Sequence, residues 1–288
     1  MASSTRSAKR RLCEEERLER LLRVGTCLAQ CGYGTQAGQL AACAPAFRGD
    51  AQLWTALVRH RGPRGRTVLM HAAIVGSVSR LTFLLELGAD VDAGNIFGNT
   101  ALMCACGAGH CDAARLLVER GGANVNAART ADGASALMVA SEKGDVDIVR
   151  FLVERGGANV NAARTTDGST ALMTASENGH LETLLFLVEH GGANVNAART
   201  TDGMTAFMWA CPSGHHEIVR LLLKRGALVN AARALCGRTP LMFASLNDHV
   251  TTVRLLLEHG ALKHVTDLAG RTARDHASSH PLVLAMLA

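Results

Sequence analysis

The chain has 288 residues, 48% of them hydrophobic, and a formal net charge of +5 from 30 Lys and Arg against 25 Asp and Glu. No uninterrupted apolar run reaches the ~18 residues that a membrane-spanning helix requires, so no membrane insertion is expected. Nine cysteines, an odd number at irregular spacing, argue against a disulfide framework; the expected setting is reducing and intracellular, cytoplasmic or nuclear.

The positive charge is concentrated at the start. Residues 1–66 hold 12 basic and 5 acidic side chains, whereas residues 67–288 hold 18 and 20. Met1–Arg23 lacks the apolar stretch of a secretory signal. Lys9-Arg10-Arg11 resembles a weak import or targeting signal, but Glu14, Glu15 and Glu16 follow too soon for a transit peptide. Residues 1–12 therefore read as a basic disordered tail. Beyond them, Leu18, Leu21, Leu22, Val24 and Leu28 mark one face of a helix, and Asp50–Arg59 reads as another. Residues 13–63 are expected to form a helical N-terminal cap, with a separate small helical domain as the alternative.

From Gly65 onward the chain is periodic. Glycines recur at Gly65, Gly98, Gly133, Gly168, Gly203, Gly237 and Gly270, at intervals of 33, 35, 35, 35, 34 and 33 residues. Gly-Gly-Ala-Asn-Val-Asn-Ala-Ala-Arg-Thr occurs three times, beginning at Gly121, Gly156 and Gly191. Such a period denotes stacked supersecondary units, each too small to bury its own apolar face. Within a unit, a hydroxyl residue precedes an apolar block, as in Thr67-Val68-Leu69-Met70 and Thr239-Pro240-Leu241-Met242. This pattern predicts a capped helix start. The helix is short, ending near Gly76, Gly109, Gly144, Gly179 or Gly214. A second helix follows, with apolar residues at three- and four-residue spacing, as in Ile218, Val219, Leu221 and Leu222. Its predicted left-handed stops are Gly88, Gly121, Gly156, Gly191, Gly226 and Gly260. Asn-Val-Asn and the next Asp-Gly read as an extended turn.

Helix, turn, helix and hairpin loop at this period, with Thr-Pro-Leu opening a unit, resemble the ankyrin repeat. The resemblance covers Arg64 to Ala288 and implies an all-α solenoid, with six repeats over 64–267 and a partial capping repeat over 268–288. Methionine stands where the family usually has histidine after the leucine, so that histidine's hydrogen bond is missing while the threonine cap is kept. The doubled glycines and one extra loop residue predict wider hairpins in the middle repeats.

Catalytic chemistry has little to stand on. Cys104, Cys106, His110 and Cys111 form the densest group of candidate metal ligands, but Cys104 and Cys106 lie about 200° apart around a helix, so core cysteine is the better reading. His110, His180 and His215 recur at matching positions, as structural residues do. No nucleophile elbow, phosphate loop or zincin motif is present. Ten aromatic residues and a near-neutral array also speak against nucleic acid. Neither enzyme activity nor a cofactor is expected.

The resemblance implies a monomeric scaffold or adaptor that binds a protein on its concave face, formed by hairpin tips and first helices. The alternative is a recognition or inhibitory subunit whose N-terminal segment docks a second protein. Carried onto this sequence, the tips include Phe97, Asn99, Asp132, Asp167, Asp202 and Met204; on the first helices, Glu142 and Lys143, Glu177 and Asn178, Pro212 and Ser213, and Leu246 and Asn247 face the same way, with Trp209 and Phe243 one position after the recurring methionine. Trp209 and Phe243 read either as interface or as filling between helices. Arg129, Arg164 and Arg199 form a row suited to an acidic partner, or one neutralised by Asp132, Asp167 and Asp202.

Overall fold

The computed structural model describes residues 58–277 and 281–288. The basic tail, and all of the expected N-terminal cap before residue 58, lie outside the described residues. A 3-10 turn at Pro63–Gly65 opens the array. Helix pairs then follow: α1 Val68–Val75 and α2 Val78–Glu86, α3 Ala101–Ala108 and α4 Cys111–Glu119, α5 Ala136–Lys143 and α6 Val146–Glu154. The next are α7 Ala171–Glu177 and α8 Leu181–Glu189, α9 Ala206–Ala210 and α10 His216–Lys224, α11 Pro240–Leu246 and α12 Val250–Glu258. A shorter unit, α13 Ala273–His276 and α14 Pro281–Met286, completes the stack. Odd-numbered helices pack on one another as an inner layer and even-numbered ones as an outer layer.

Each inner helix starts where the sequence predicts. The hydroxyls of Thr67, Thr100, Ser135, Thr170, Thr205 and Thr239 accept the backbone N–H of the methionine three residues on, at 3.1–3.4 Å. Those methionines are buried to within 3% exposure, which fits the missing histidine: the site is apolar, and the cap alone satisfies the helix start. Helix α9 is the shortest of the six full units' helices, because Pro212 has no N–H to continue the hydrogen-bond ladder. The core is continuous along the stack, with Leu69, Leu102, Leu137, Leu172, Phe207 and Leu241 each 1% exposed.

The ends of the outer helices require a correction. The left-handed residue is Gly88, Gly226 or Gly260 as expected, but in the three doubled-glycine units it is the second glycine: Gly122, Gly157 and Gly192, at φ 66–68°. The first glycine of each pair is needed for space. A Cβ on Gly156 would lie 2.8 Å from the Leu152 carbonyl oxygen, and one on Gly121 would lie 2.5 Å from that of Leu117. The wider hairpins are present. Gly133, Gly168 and Gly203 bond back to the carbonyl four residues earlier, whereas Gly98 and Gly270 bond back three.

Three sets of hydrogen bonds sew neighbouring units together. At the tips, Ala131 donates to the Phe97 carbonyl, Thr165 to Asp132, Thr200 to Asp167 and Ala234 to Asp202. Below the outer helices runs an asparagine ladder. Asn126, Asn161, Asn196 and Asn230 each accept a backbone N–H of the next unit at 2.8–3.1 Å and donate to its glycine carbonyl at 3.0–3.1 Å. Between the layers, His110 donates to the Ile74 carbonyl, His180 to that of Glu142 and His249 to that of Pro212, at 2.8–3.0 Å. Each ring packs where a Cβ on Gly76, Gly144 or Gly214 would stand, so the recurring histidines are structural. Asp145 occupies the equivalent position at the seam between α3–α4 and α5–α6, and caps its own helix instead, through Ile148 N–H at 3.1 Å.

Candidate interaction surface

Inner helices and hairpin tips present one continuous face, and the side chains on it fall into three groups. The first is exposed. Phe97 and Ile96 at the first tip are 42% and 66% exposed, with Leu235 (63%) and Leu246 (39%) at the other end of the array. The tip at Phe97 is held by Asn95, whose Oδ1 accepts the N–H groups of Phe97 at 2.9 Å and Asn99 at 3.0 Å. Asn99 itself is half-buried.

The second group is buried, which for the tip residues Met204 and Asp202 is contrary to expectation. Met204 is 4% exposed, Phe243 7% and Asp202 5%. Met204 and Phe243 belong to the core: a long apolar side chain gains more from burial between helices than from standing in water. Of the two readings of Phe243, filling between helices is the one observed. Asp202 is buried because it carries ion pairs, with Arg199 at 3.4 Å and Arg233 of the next unit at 2.8 Å.

The third group is the arginine row, which is neutralised. Arg129 forms a bidentate pair with Asp132 at 2.5 and 2.7 Å. Arg199 reaches Asp167 of the preceding unit at 3.5 Å as well as Asp202. Arg164 makes one ion pair among the described residues, with Glu142 at 4.0 Å. The hydrogen bond from Arg129 holds the Asp132 carboxyl below its ordinary range, against the effect of burial. Burial raises the pKa of Asp167, but the Ser169 backbone N–H and hydroxyl, with Arg199 and Arg164, outweigh it and bring the group below its ordinary value. The strongest such site lies in the last unit, where Asp267 accepts the backbone N–H groups of Arg271 and Ala269 and pairs with buried His276 at 2.8 Å. Its carboxyl is held far below the usual range, first by the Arg271 N–H. Neither the Arg233 pair nor the Asp267 hub is visible in the exact repeats, because both lie where the copies diverge.

Between the inner helices α5, α7 and α9 the face sinks into a half-open cavity of about 370 Å³. Glu142, Glu177, Arg164, Asp167, Arg199 and Trp209 are among its lining residues. Trp209 is half-buried, with the Arg199 guanidinium 5.6 Å from its ring centroid. Trp209 is thus both packed and displayed.

Cys104, Cys106 and Cys211 are poor candidates for chemistry. Cys106 and Cys211 are fully buried, and burial raises both thiols far above their ordinary value. Burial pushes the Cys104 thiol up to about 11. A protonated thiol is neither a nucleophile nor a ligand. Among the described residues, no group of His, Cys, Asp or Glu is arranged to hold a metal, and no helix is long and apolar enough to cross a membrane.

The chain matches the family model described as ankyrin repeats (3 copies) over residues 13–129, 69–164, 121–199, 137–233 and 192–267. Among solved structures it is similar to the human ASB11 ankyrin repeat domain, at 27% identity and a TM-score of 0.69, over 77% of this chain and 96% of that one. It is also similar to the ankyrin repeat domain of Bcl-3, described as a unique member of the IkappaB protein family, at 28% identity and a TM-score of 0.66, over 77% of this chain and 98% of that one. No curated protein matches it.

Proposed function

Because the chain belongs to the ankyrin-repeat family, whose domains generally mediate protein–protein interactions, we propose that it is a non-catalytic scaffold or adaptor that binds a protein along its concave face. The observation that carries this reading is Trp209, half-exposed in the wall of an open cavity in a chain with only two tryptophans. Large aromatics partly desolvated at the centre of a surface are the residues on which binding energy concentrates. Around it, Phe97, Leu235 and Leu246 offer apolar contacts on the same face, and the paired arginines give that face a fixed shape.

The test is affinity capture from the source cells with the full chain, comparing wild type, Phe97→Asp with Trp209→Ala, and the outer-helix control Arg150→Glu with Arg220→Glu. The concave-face variant is expected to lose its partner at least tenfold, a change that needs only about 1.4 kcal/mol, and the control to retain it. Thermal melting checks that each variant is folded. A concave-face variant that melts normally and captures the same protein as wild type would falsify the proposal.

A further inference from the structure

The cavity beside Trp209 has a charge surplus of definite sign. Three carboxylates, Glu142, Asp167 and Glu177, line it against two guanidiniums, Arg164 and Arg199. Both guanidiniums are largely sequestered, at 23% and 21% exposure, and Arg199 is shared between Asp167 and Asp202. The glutamates stand open. Glu142 is 50% exposed and touches Arg164 only at 4.0 Å, while Glu177, at the same position on the next inner helix, is exposed and forms no ion pair with any described residue. An incoming anion would have to displace Asp167 or Asp202 to reach Arg199. An incoming cation meets the unpaired Glu177 carboxylate and displaces at most the 4.0 Å contact of Glu142 with Arg164, although Arg199 already holds one approach to the indole, 5.6 Å from its centroid. The volume, about 370 Å³, lies in the range of about 300–1,000 Å³ typical of ligand pockets.

We propose that this cavity receives one cationic side chain of the protein partner, arginine in preference to lysine, seated between Glu142 and Glu177 within reach of the Trp209 indole. Arginine is preferred because its planar guanidinium can fork onto a carboxylate with two parallel bonds, where lysine offers only a point charge. The inference rests on the concave-face reading and adds the chemistry of what enters it. The carboxylates are solvated, so the attraction is screened by salt.

The test uses the full chain with Trp54→Phe, leaving Trp209 as its sole tryptophan, titrated with four blocked pentapeptides, Ala-Ala-X-Ala-Ala, in which X is arginine, lysine, norleucine or glutamate. The arginine peptide should change Trp209 fluorescence with at least tenfold higher affinity than the norleucine or glutamate peptide. This preference should shrink as salt is raised from about 0.05 to about 0.5 M, and disappear in Glu142→Gln/Glu177→Gln. Calorimetry on the chain that keeps Trp54 makes the result independent of that substitution. Equal binding of the norleucine or glutamate peptide, arginine binding unchanged by the two glutamines, or no binding by any of the four overturns the inference. The two levels also separate with the natural partner. Loss on Trp209→Ala but not on Glu142→Gln/Glu177→Gln sinks the cation alone, and indifference to both sinks the concave-face reading with it.

Discussion

Asn161→Ala isolates one seam of the solenoid. The Asn161 side chain accepts the Asn194 N–H at 2.8 Å and donates to the Gly192 carbonyl at 3.1 Å, so both of its bonds join the α5–α6 unit to the α7–α8 unit. Each net hydrogen bond contributes about 0.5–1.5 kcal/mol, which gives about 1–3 for the two. Asn161, Asn194 and Gly192 are all exposed, so water replaces part of the loss, and about 1–2 kcal/mol is expected. Asn159→Ala serves as the control. Its Oδ1 accepts only the Asn161 N–H, at 3.1 Å within the same loop, so its cost is about half as large and local. Urea unfolding compares the totals. Because neighbouring repeats need not unfold in one step, native-state hydrogen exchange supplies the location. The Asn194 amide should lose protection in Asn161→Ala and keep it in Asn161→Asp, which retains an acceptor oxygen. If Asn161→Ala costs no more than Asn159→Ala and the Asn194 amide exchanges as in wild type, the ladder does not couple the repeats.

The doubled glycines should both resist substitution, for different reasons. Gly157→Ala places a Cβ in open space but at φ 67°, at a cost of about 1 kcal/mol, whereas Gly156→Ala has an allowed backbone and a Cβ 2.8 Å from the Leu152 oxygen, which should shift the end of α6 and cost more. Denaturation midpoints rank the two, and an unchanged midpoint for either refutes the assigned reason. Acid sensitivity follows from Asp132, Asp167 and Asp267, whose folded pKa values lie below the unfolded value of about 4. Their contribution is complete above that value and lost as pH falls through the folded pKa. Urea midpoints should therefore be level near neutrality and drop below about pH 4, with a shallower drop in Asp267→Asn. A midpoint that rises on acidification contradicts the pairing.

What the sequence shows well is whatever every unit repeats. The Thr or Ser caps, the inner leucines and the recurring histidines occur often enough for pattern alone to place them, and the structure puts them in the same roles. The surface was harder to read, because exposure depends on what the next unit lays over a position. Met204 and Asn99 share a place in the period, yet Met204 is 4% exposed while Asn99 is only half-buried. The left-handed glycine moved by one residue because the deciding atom is the Leu152 oxygen, a backbone group common to any helix and therefore silent in sequence. Asp202 was readable as a partner for Arg199, but not for Arg233, which belongs to a unit whose tip no longer copies the others. The charge balance of the cavity emerges only once three units are stacked.

The histidine seams also make the stack mechanically uneven. At Gly76, Gly144 and Gly214 an imidazole from the following unit fills the notch and bonds to a carbonyl, which resists both shear and opening. At Gly109 the notch faces only the Asp145 carboxylate, with its nearest atom 3.5 Å from where a Cβ would stand. At this junction between α3–α4 and α5–α6 the two Asn126 bonds, from the Asn159 N–H and to the Gly157 carbonyl, therefore carry the coupling that a histidine shares at the other three.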